Sequence, residues 1–320
     1  MDYIGRVTGR VSGIEQSTQQ APEMSSSMID VQGSGIHTGA FALHGVGLSG
    51  LTYPVAFRDD GSGGEVQHAP ADWTLAVALP ADHRGAHMSR FVETLHARAR
   101  STYHLADFGA LALELREVLA AGDVSVGARF TWFREVRAPK SARASLLAHQ
   151  VECRARTISG DGQANPTVEL ASRIVVPVKS LCPCSKAISD RGAHNQRSTV
   201  DVRLTAKPMT LSRSPAQAAS AAPDAAAIPS FARLAALLDS VGSAPIYPLL
   251  KREDEKFITE SAYDNPVFVE DACRRAGELL ADLTSRCSVH IRVTNQESIH
   301  AHDCFAELHL PLGSATGGAR

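Results

Sequence analysis

The predicted strands and helices follow the same order in the two halves of the chain, and this repeat is the strongest constraint on its fold. In each half, two strand patterns precede two helical patterns, and two further strand patterns follow. The patterns of the first half lie near residue 41 and at 73–79, 87–96, 108–120, 124–136 and 145–158. Those of the second half lie at 167–181, 198–205, 231–241, 266–285, 287–294 and 302–312. Two ββααββ modules, with helices covering one face of antiparallel sheets, predict the α+β class. Since open sheets expose edges, we expect them to close into a multi-subunit barrel.

Composition divides the chain into an arm, two modules and an insertion. Residues 1–35 are rich in Ser, Gln and Gly, which is typical of a mobile N-terminal arm. We expect the first module at 36–160 and the second module, with the main candidate site, at 161–320. A stretch dense in Ala, Pro and Ser at 212–229 interrupts the second module and predicts a flexible surface insertion.

The bulk composition excludes several classes of protein. The chain has 320 residues, 44% of them hydrophobic, which is enough for a substantial core. A formal net charge of −2 argues against a general nucleic-acid binder, so an anionic ligand must meet a local cluster of cations. No apolar run reaches the roughly 18 residues of a membrane span, and 1–31 lacks a signal-peptide pattern, so we expect a cytoplasmic protein. Six cysteines in a chain of this length do not predict a disulfide scaffold.

A segment rich in metal-binding side chains directly follows the apolar strand pattern at 167–181. Cys182 and His194 lie on either side of a loop or short helix, and a thiolate with an imidazole suits a zinc-like metal. Cys184 competes with Cys182, but Pro183 stiffens the turn, so we expect one sulfur to face the site. The alternative is a buried cysteine and a hydrogen-bonded histidine with structural roles only.

A second polar group occupies the predicted strand end at 295–302. His300 and His302 share a face if the backbone is extended but not if it turns, and either is a candidate metal ligand. Glu297 supplies a carboxylate beside them and is a candidate proton shuttle. A solvated polar turn explains each residue singly, but it explains the combination of one Glu and two His less well.

A run of charged residues at 250–257 is the third candidate. Such a run usually forms the solvated face of a helix. Glu255 or Glu253 also qualifies as an oxygen ligand for a metal. Positive charge beside these carboxylates comes from Lys251, Arg252 and Lys256. The run is therefore either a solvated helix face or a further part of a metal site.

Six motifs, taken together, resemble the type IB GTP cyclohydrolase I family. They are His-Met-Ser-Arg-Phe, Leu-Cys-Pro-Cys-Ser-Lys, Gly-Ala-His-Asn-Gln-Arg-Ser, Asp-Glu-Lys-Phe, Asn-Pro-Val-Phe-Val-Glu-Asp and Glu-Ser-Ile-His. The resemblance runs from about residue 28 to 315, with 212–229 outside it. It implies a tunnelling fold of two modules that assembles as a homotetramer with active sites between subunits. It also implies hydrolysis of GTP to formate and 7,8-dihydroneopterin triphosphate, the first step of tetrahydrofolate biosynthesis.

The resemblance also implies roles for particular side chains. The implied metal ligands are Cys182, His194, Glu255 and His300. Glu270 is the implied guanine anchor, and a carboxylate suits guanine because its two oxygens accept both N1–H and N2–H. The alternative role of Glu270 is that of a helix N-terminal acid that interacts with the dipole. Two departures from the family pattern, Ala86 and Ala301, affect no implied ligand.

The expected reaction begins with attack of a metal-bound water on C8 of the purine. A divalent metal lowers the pKa of its water from about 15.7 to about 7, and Zn, Mn and Fe(II) all suit these donors. We expect one metal per subunit and no organic cofactor. Cys182 takes part as a ligand, and Glu297 or His302 delivers a proton to N7. The expected contacts of the triphosphate are Lys186 and Arg197 first, then Arg90, Lys251, Arg252, His87 and Ser89.

Three alternative functions use the same residues differently. An archaeal-type GTP cyclohydrolase would stop at a cyclic-phosphate dihydroneopterin. A nitrile reductase would need a nicotinamide cofactor and a nucleophilic cysteine without a metal, and the paired His and Glu residues argue against it. A non-catalytic metal- or pterin-binding homologue would release no formate from GTP.

Overall fold

The computed structural model describes residues 41–59, 64–83, 85–120, 122–160, 166–210 and 228–314. These residues belong to one unit, Ile36–Arg320. The predicted arm at 1–35 lies outside the described residues, as does the predicted insertion up to residue 227. The proposed division of the rest into modules at residue 160 stays a prediction.

Strands form where buried and more exposed side chains alternate along the chain. In the strand at Thr167–Leu181, for example, Val168, Leu170, Ile174 and Val176 are buried and the residues between them are less so. The ten strands of the described ranges are β1 Leu43–Phe57, β2 Gln67–Leu79, β3 Thr102–Tyr103, β4 Val124–Arg137, β5 Ala144–Ile158, β6 Thr167–Leu181, β7 Asn195–Ala206, β8 Ala244–Pro245, β9 Cys287–Asn295 and β10 Cys304–Leu310.

These strands join one sheet in the order β10-β9-β7-β6-β5-β4-β2-β1-β3, with β8 beside β6. Neighbours are antiparallel, except that β1 and β3 are parallel. β5 and β6 pair from Gln150↔Val175 to Ile158↔Thr167 and so connect the two halves of the chain. Pro177 of β6 has no N–H to donate. Beyond it, β8 replaces β5 as a partner of β6, at Val178 and Lys179.

Helices cover the apolar face of the sheet. The helix at Val269–Leu280 shows the reason, because its buried residues Ala272, Cys273, Ala276 and Leu280 recur at helical spacing. The helices are α1 Met88–Ala97, α2 Leu105–Leu119, α3 Pro183–Ile188, α4 Phe231–Leu238, α5 Arg252–Asp264 and α6 Val269–Leu280, followed by a 3-10 turn at Ala281–Ser285. None of these helices is long and apolar enough to cross a membrane.

Stacked aromatic rings form the centre of the core in the first half. Trp73 of β2 stacks on Phe108 of α2 with 5.6 Å between ring centroids, and it meets Tyr103 of β3 edge-on at 5.7 Å. All three side chains are almost fully buried. Burial raises the pKa of Tyr103 to about 12. The rings therefore fix α2 against β2 and β3.

The predicted fold class, a barrel of ββααββ modules typical of the tunnelling fold, is wrong. The described residues form one large mixed sheet of ten strands instead. β3 lies between α1 and α2, and α3 lies between β6 and β7, so neither half has the order ββααββ. The expectation failed because two-residue strands are too short to show a periodicity. It also treated the β5–β6 connection as a module boundary, whereas these strands pair along most of β5.

Two charged side chains, Asp59 and Arg134, hold α4 against strands from the first half of the chain. The buried carboxylate of Asp59, just after β1, accepts hydrogen bonds from the backbone N–H groups of Phe231 and Ala232 at 2.8 and 2.7 Å. Arg134 of β4 donates to both carboxylate oxygens of Asp239 at 2.9 and 2.7 Å. Burial nevertheless raises the pKa of Asp239 above its ordinary value, against the opposing effect of Arg134.

A buried histidine lies beneath this region. His149 of β5 is 1% exposed, its ring centroid is 5.7 Å from that of Trp132, and its Nδ1 lies 3.4 Å from the carbonyl oxygen of Val175. Its Nε2 has no hydrogen-bond partner in the described part of the chain. Burial, and secondarily the Arg134 guanidinium, lower the pKa of His149 from 6.5 to about 4.

Protonation of His149 should make folding stability depend on pH. Because its folded pKa lies below its unfolded value, the unfolded chain binds more protons between about pH 6.5 and pH 4. The free energy of unfolding should therefore fall as pH drops through this window, by at most about 1.4 kcal/mol per pH unit. Urea unfolding at pH 7 and pH 5 should show a smaller loss for His149→Leu than for the wild type. His68→Leu, at an exposed strand position, is the control. Equal losses in all three proteins would contradict the expectation.

Candidate functional site

The candidate site lies at the edge of the sheet where β6 and β9 end and β7 begins. Leu181 at the end of β6 pairs with Asn195 at the start of β7, and Ser198 pairs with Asn295 at the end of β9. Cys182, His194 and the loop at 296–303 therefore extend from neighbouring strands. We call Cys182, His194, Glu297, His300 and His302 the edge group.

A short turn holds Cys182 beside His194. Cys182 precedes α3 as its N-cap, and its Sγ accepts a hydrogen bond from the backbone N–H of Ser185 at 3.5 Å. Its own N–H donates to the carbonyl oxygen of His194 at 3.1 Å. The hydroxyl of Ser185 donates to the carbonyl of Cys182 and accepts from the backbone N–H of His194, at 3.3 and 3.0 Å. Cys184 is exposed, whereas Cys182 is partly buried.

The Nδ1 atom of His194 faces two acceptors. Oε1 of Gln196 lies 3.0 Å from it, and Oε2 of Glu297 lies 3.7 Å from it. The side chains of His194 and Glu297 are 13% and 8% exposed, so these contacts are shielded from water. Two oxygens at Nδ1 favour the tautomer with the proton on that nitrogen. Nε2 is then left with a free lone pair, which is the form of histidine that binds a metal.

His300 and His302 lie on the exposed side of the edge group. The ring of His300 is nearly perpendicular to that of His194, with 6.3 Å between centroids, and stacks on that of His302 at 5.2 Å. The two rings therefore share a side although the backbone at 298–302 bends rather than extends. Both side chains are exposed to solvent. Within the described residues, neither side chain makes a hydrogen bond to the protein.

The predicted ligands suit a metal in their chemistry, but the described residues do not bring them into one coordination site. One thiolate and two imidazoles are suitable donors, and the free Nε2 of His194 adds to the fit. Among the described residues, however, no group of three or more His, Cys, Asp or Glu side chains is close enough to hold a metal ion.

Glu255 is the fourth predicted ligand. It lies in the first turn of α5, whose opposite end reaches α3 through Tyr263. Eight residues of helix span about 12 Å. The start of α5 is held instead at the β4–β5 turn, where the buried Asp254 accepts hydrogen bonds from Lys140 and Ser141 at 2.6 to 2.9 Å. Burial opposes ionisation of Asp254, but these hydrogen bonds outweigh it and hold its pKa well below the usual range.

The predicted guanine anchor is placed next to the edge group by the backbone. Glu270 is exposed in the first turn of α6. Three residues earlier, the N–H of Val267 donates to the carbonyl of Leu181 at 3.1 Å. Leu181 directly precedes Cys182, so the start of α6 lies against the strand end that carries the thiol.

Two basic residues near the edge group have structural surroundings that the sequence did not suggest. The ammonium of Lys186 donates to the carbonyl oxygen of Tyr263 and lies 4.2 Å above the ring of that residue. It thus ties α3 to α5. Arg197 is exposed between the buried Gln196 and Ser198, so it projects from the sheet face opposite to His194.

Lys179 was missed by sequence reasoning. It pairs directly with Arg197 across β6 and β7, and its Nζ donates to Oδ1 of Asn195 at 2.7 Å. Burial lowers the pKa of Lys179. Gln196 was also missed, although the period of two in β7 places it on the same side as His194. Neither residue type is a distinctive signal in a strand.

The remaining predicted contacts of the triphosphate lie elsewhere in the fold. Lys251 and Arg252 are exposed at the start of α5, beside the β4–β5 turn. His87, in the left-handed conformation with φ of 46°, directly precedes α1, and Ser89 follows it on the surface. Arg90 donates to the carbonyl of Val118 at 3.0 Å, near the sheet edge where β4 begins. Because β4 and β6 begin at the same edge, this part of α1 is at the opposite end of the sheet from Cys182.

Comparison with solved structures gives distant likenesses to uricases. Uricase from Arthrobacter globiformis matches with a TM-score of 0.47 and 11% identity, over 87% of this chain and 95% of that chain. Urate oxidase from Bacillus subtilis 168 matches with a TM-score of 0.47 and 10% identity, over 83% and 98%. Neither likeness bears on activity.

Sequence relatives are much more similar. Residues 28–306 match the family described as type I GTP cyclohydrolase folE2. GTP cyclohydrolase FolE2 from Bordetella petrii is 39% identical over 279 residues, which cover 87% of this chain and 95% of that relative. The proteins of the same name from Geotalea uraniireducens and Nitratidesulfovibrio vulgaris are 35% and 36% identical, and they are covered over 93% and 97% of their lengths. Since the family and these relatives match most of its length, this chain belongs to the type I GTP cyclohydrolase FolE2 family.

Proposed function

We propose that this protein is a GTP cyclohydrolase of subtype IB, located in the cytoplasm. It hydrolyses GTP to formate and 7,8-dihydroneopterin triphosphate, the first step of tetrahydrofolate biosynthesis. The observation that carries the proposal is the edge group, where the backbone of Cys182 is bonded to that of His194 and the His194 ring lies near Glu297 and His300. Its residues lie within the range 28–306 that matches the family.

One divalent metal per subunit is part of the proposal. Cys182, His194 and His300 would hold Zn, Mn or Fe(II), and Glu255 would complete the set. The bound cation supplies Lewis-acid activation of water at neutral pH. Gln196 supports the site from outside, because its amide oxygen keeps the proton of His194 on Nδ1.

The protein side chains recognise the purine and move its protons. The carboxylate of Glu270 accepts N1–H and N2–H of guanine, which orients C8 towards the strand edge. Glu297 delivers a proton to N7 and so makes C8 electrophilic, and its 8% exposure shields that proton from bulk water. His302, stacked on His300, is positioned to exchange protons with solvent during the later ring opening.

The distribution of the cations supports the proposal that the protein self-associates. His87, Ser89 and Arg90 lie at the other end of the sheet from Cys182, so in this proposal they reach the triphosphate of a neighbouring subunit in a homotetramer. Lys251 and Arg252 lie beside Glu255 at the start of α5 and are also proposed to contact the triphosphate. Arg197 and Lys179 pair directly and form a cationic pair on the sheet face opposite to His194. Two like charges directly opposite each other in a sheet repel, so this pair favours a nearby anion such as the triphosphate.

The proposal predicts metal-dependent release of formate from GTP, with a product that keeps its triphosphate by mass spectrometry. Cys182→Ala and His300→Ala should each lose tight metal binding and formate release, because each removes a proposed ligand. Cys184→Ala, two residues from Cys182 and exposed, is the matched control and should behave as wild type. Elemental analysis reports the metal.

Three results would count against parts of this proposal. Normal metal content in either variant would remove that residue from the ligand set. A cyclic-phosphate product would instead indicate the archaeal-type reaction. No formate from metal-loaded wild-type protein would indicate a non-catalytic binding homologue.

Replacement of Glu270 tests guanine recognition. Glu270→Gln should keep the metal but raise KM for GTP about 10- to 100-fold, because a charge-assisted hydrogen bond contributes about 1.5–3 kcal/mol. Glu278→Gln, exposed on the same helix, is the control. A change in thermal stability with unchanged KM would show that Glu270 serves only the N-terminal end of α6.

Replacement of Gln196 tests the support of His194. Gln196→Leu keeps the side-chain volume but removes the acceptor at Nδ1, so metal affinity should fall about 10- to 100-fold. Competition with a chelator measures this affinity. Gln150→Leu, on the exposed face of β5, is the control. Equal affinities in the two variants would show that Gln196 does not support the site.

A further inference from the structure

Leu181, the residue that precedes Cys182, makes buried hydrogen bonds through both its backbone N–H and its backbone carbonyl. The N–H of Leu181 donates to Oγ of Ser243 at 3.0 Å, and its carbonyl accepts from the N–H of Val267 at 3.1 Å. The hydroxyl of Ser180 adds a bond to the carbonyl of Val267 at 3.4 Å. These four residues are at most 5% exposed. With Asn265 they form what we call the Leu181 junction.

Asn265 connects the two segments that are hydrogen-bonded to Leu181, one containing Ser243 and the other Val267. Its Nδ2 donates to the carbonyl oxygens of Gly242 and Ser243, both at 3.2 Å. Its Oδ1 faces Arg275 of α6 at 3.5 Å, which agrees with this orientation of the amide. One side chain thus joins the 242–243 segment, the end of α5 and helix α6.

The fit of the 242–243 segment against β6 is too close for much adjustment. The N–H of Ser243 donates to the carbonyl of Lys179 at 2.8 Å. A Cβ at Gly242 would lie 2.6 Å from that same carbonyl oxygen, closer than real side chains come. Because this segment has so little free space, a shift of Asn265 would also shift the end of β6.

We infer that Asn265 is a positioning residue for guanine recognition, because it fixes the start of α6, with Glu270, against the end of β6, with Cys182. The inference rests on the proposed function. Glu270 would hold the pyrimidine edge of guanine while C8, at the far end of the rigid purine, has to reach the metal ligands. The separation of the two protein elements must therefore match the base, and a displacement of about 1 Å costs about 100-fold in rate.

The test uses the full-length, metal-loaded protein with GTP and with inosine triphosphate, which lacks the 2-amino group. Asn265→Asp keeps the shape and the contact with Arg275 but places a negative charge against two carbonyls. Its metal content and assembly should stay normal, while kcat/KM for GTP falls about 100-fold. The preference for GTP over inosine triphosphate should fall towards that of Glu270→Gln. The effects of Asn265→Asp and Glu270→Gln on this preference should not add in the double variant.

Ser243→Ala removes the acceptor of Leu181 N–H from the same junction and should shift the preference in the same direction. It decides the question if Asn265→Asp does not fold. Ser240→Ala, in the same loop but bonded only to the local carbonyl of Leu237, is the control and should leave the preference unchanged.

The possible failures are distinguishable. If both nucleotides lose the same factor, or the two effects add, Asn265 is a general stabilising residue and the inference is wrong. If wild-type protein neither binds nor hydrolyses GTP in preference to inosine triphosphate, as measured by calorimetry and formate release, the proposed function and this inference fail together.

Discussion

The pairing of β6 with its neighbours is the constraint on which the rest of the structure depends. Its backbone is bonded to β5 on one side and β7 on the other, and β8 takes over after Pro177. Alternate side chains of β6 enter the core, so a slip of one residue would expose all of them. The register of this strand is therefore strongly fixed. Cys182 directly follows this strand, so its position is fixed as well.

The edge group is precise because buried and partly buried hydrogen bonds support it. Ser185 and Gln196 each bind His194 or its backbone, and the Leu181 junction holds the adjacent strand end from the other side. In a low-dielectric interior an unpaired polar group is costly, so such networks favour one arrangement. His300 and His302 lack this support and lie on the solvent side, where substrate and a neighbouring subunit would approach in our proposal.

Sequence patterns located most of the long elements but not how they assemble. Alternation located β6 and β9 closely, and helical spacing located α1 and α2. It missed β3 and β8, because two residues cannot show a period, and it joined α6 to the following 3-10 turn. The ββααββ order was wrong because β3 and α3 interrupt it. The barrel was wrong because pairing partners such as β5 and β6 cannot be deduced from local periodicity. Among site residues, Cys and His are rare donors and stand out, whereas Gln196, Lys179 and Asn265 do not.

The sequence by itself determined the family and the candidate chemistry, because six spaced motifs carry the thiol, imidazole and carboxylate groups that such a reaction uses. Only the tertiary structure decided which of these groups are neighbours. It brought His194, Glu297 and His300 together from the start of β7 and the β9–β10 loop, and it placed Arg90 at the opposite end of the sheet from Cys182. The physical reason is that side-chain chemistry is local to the sequence, whereas proximity depends on backbone hydrogen bonds between strands far apart in it.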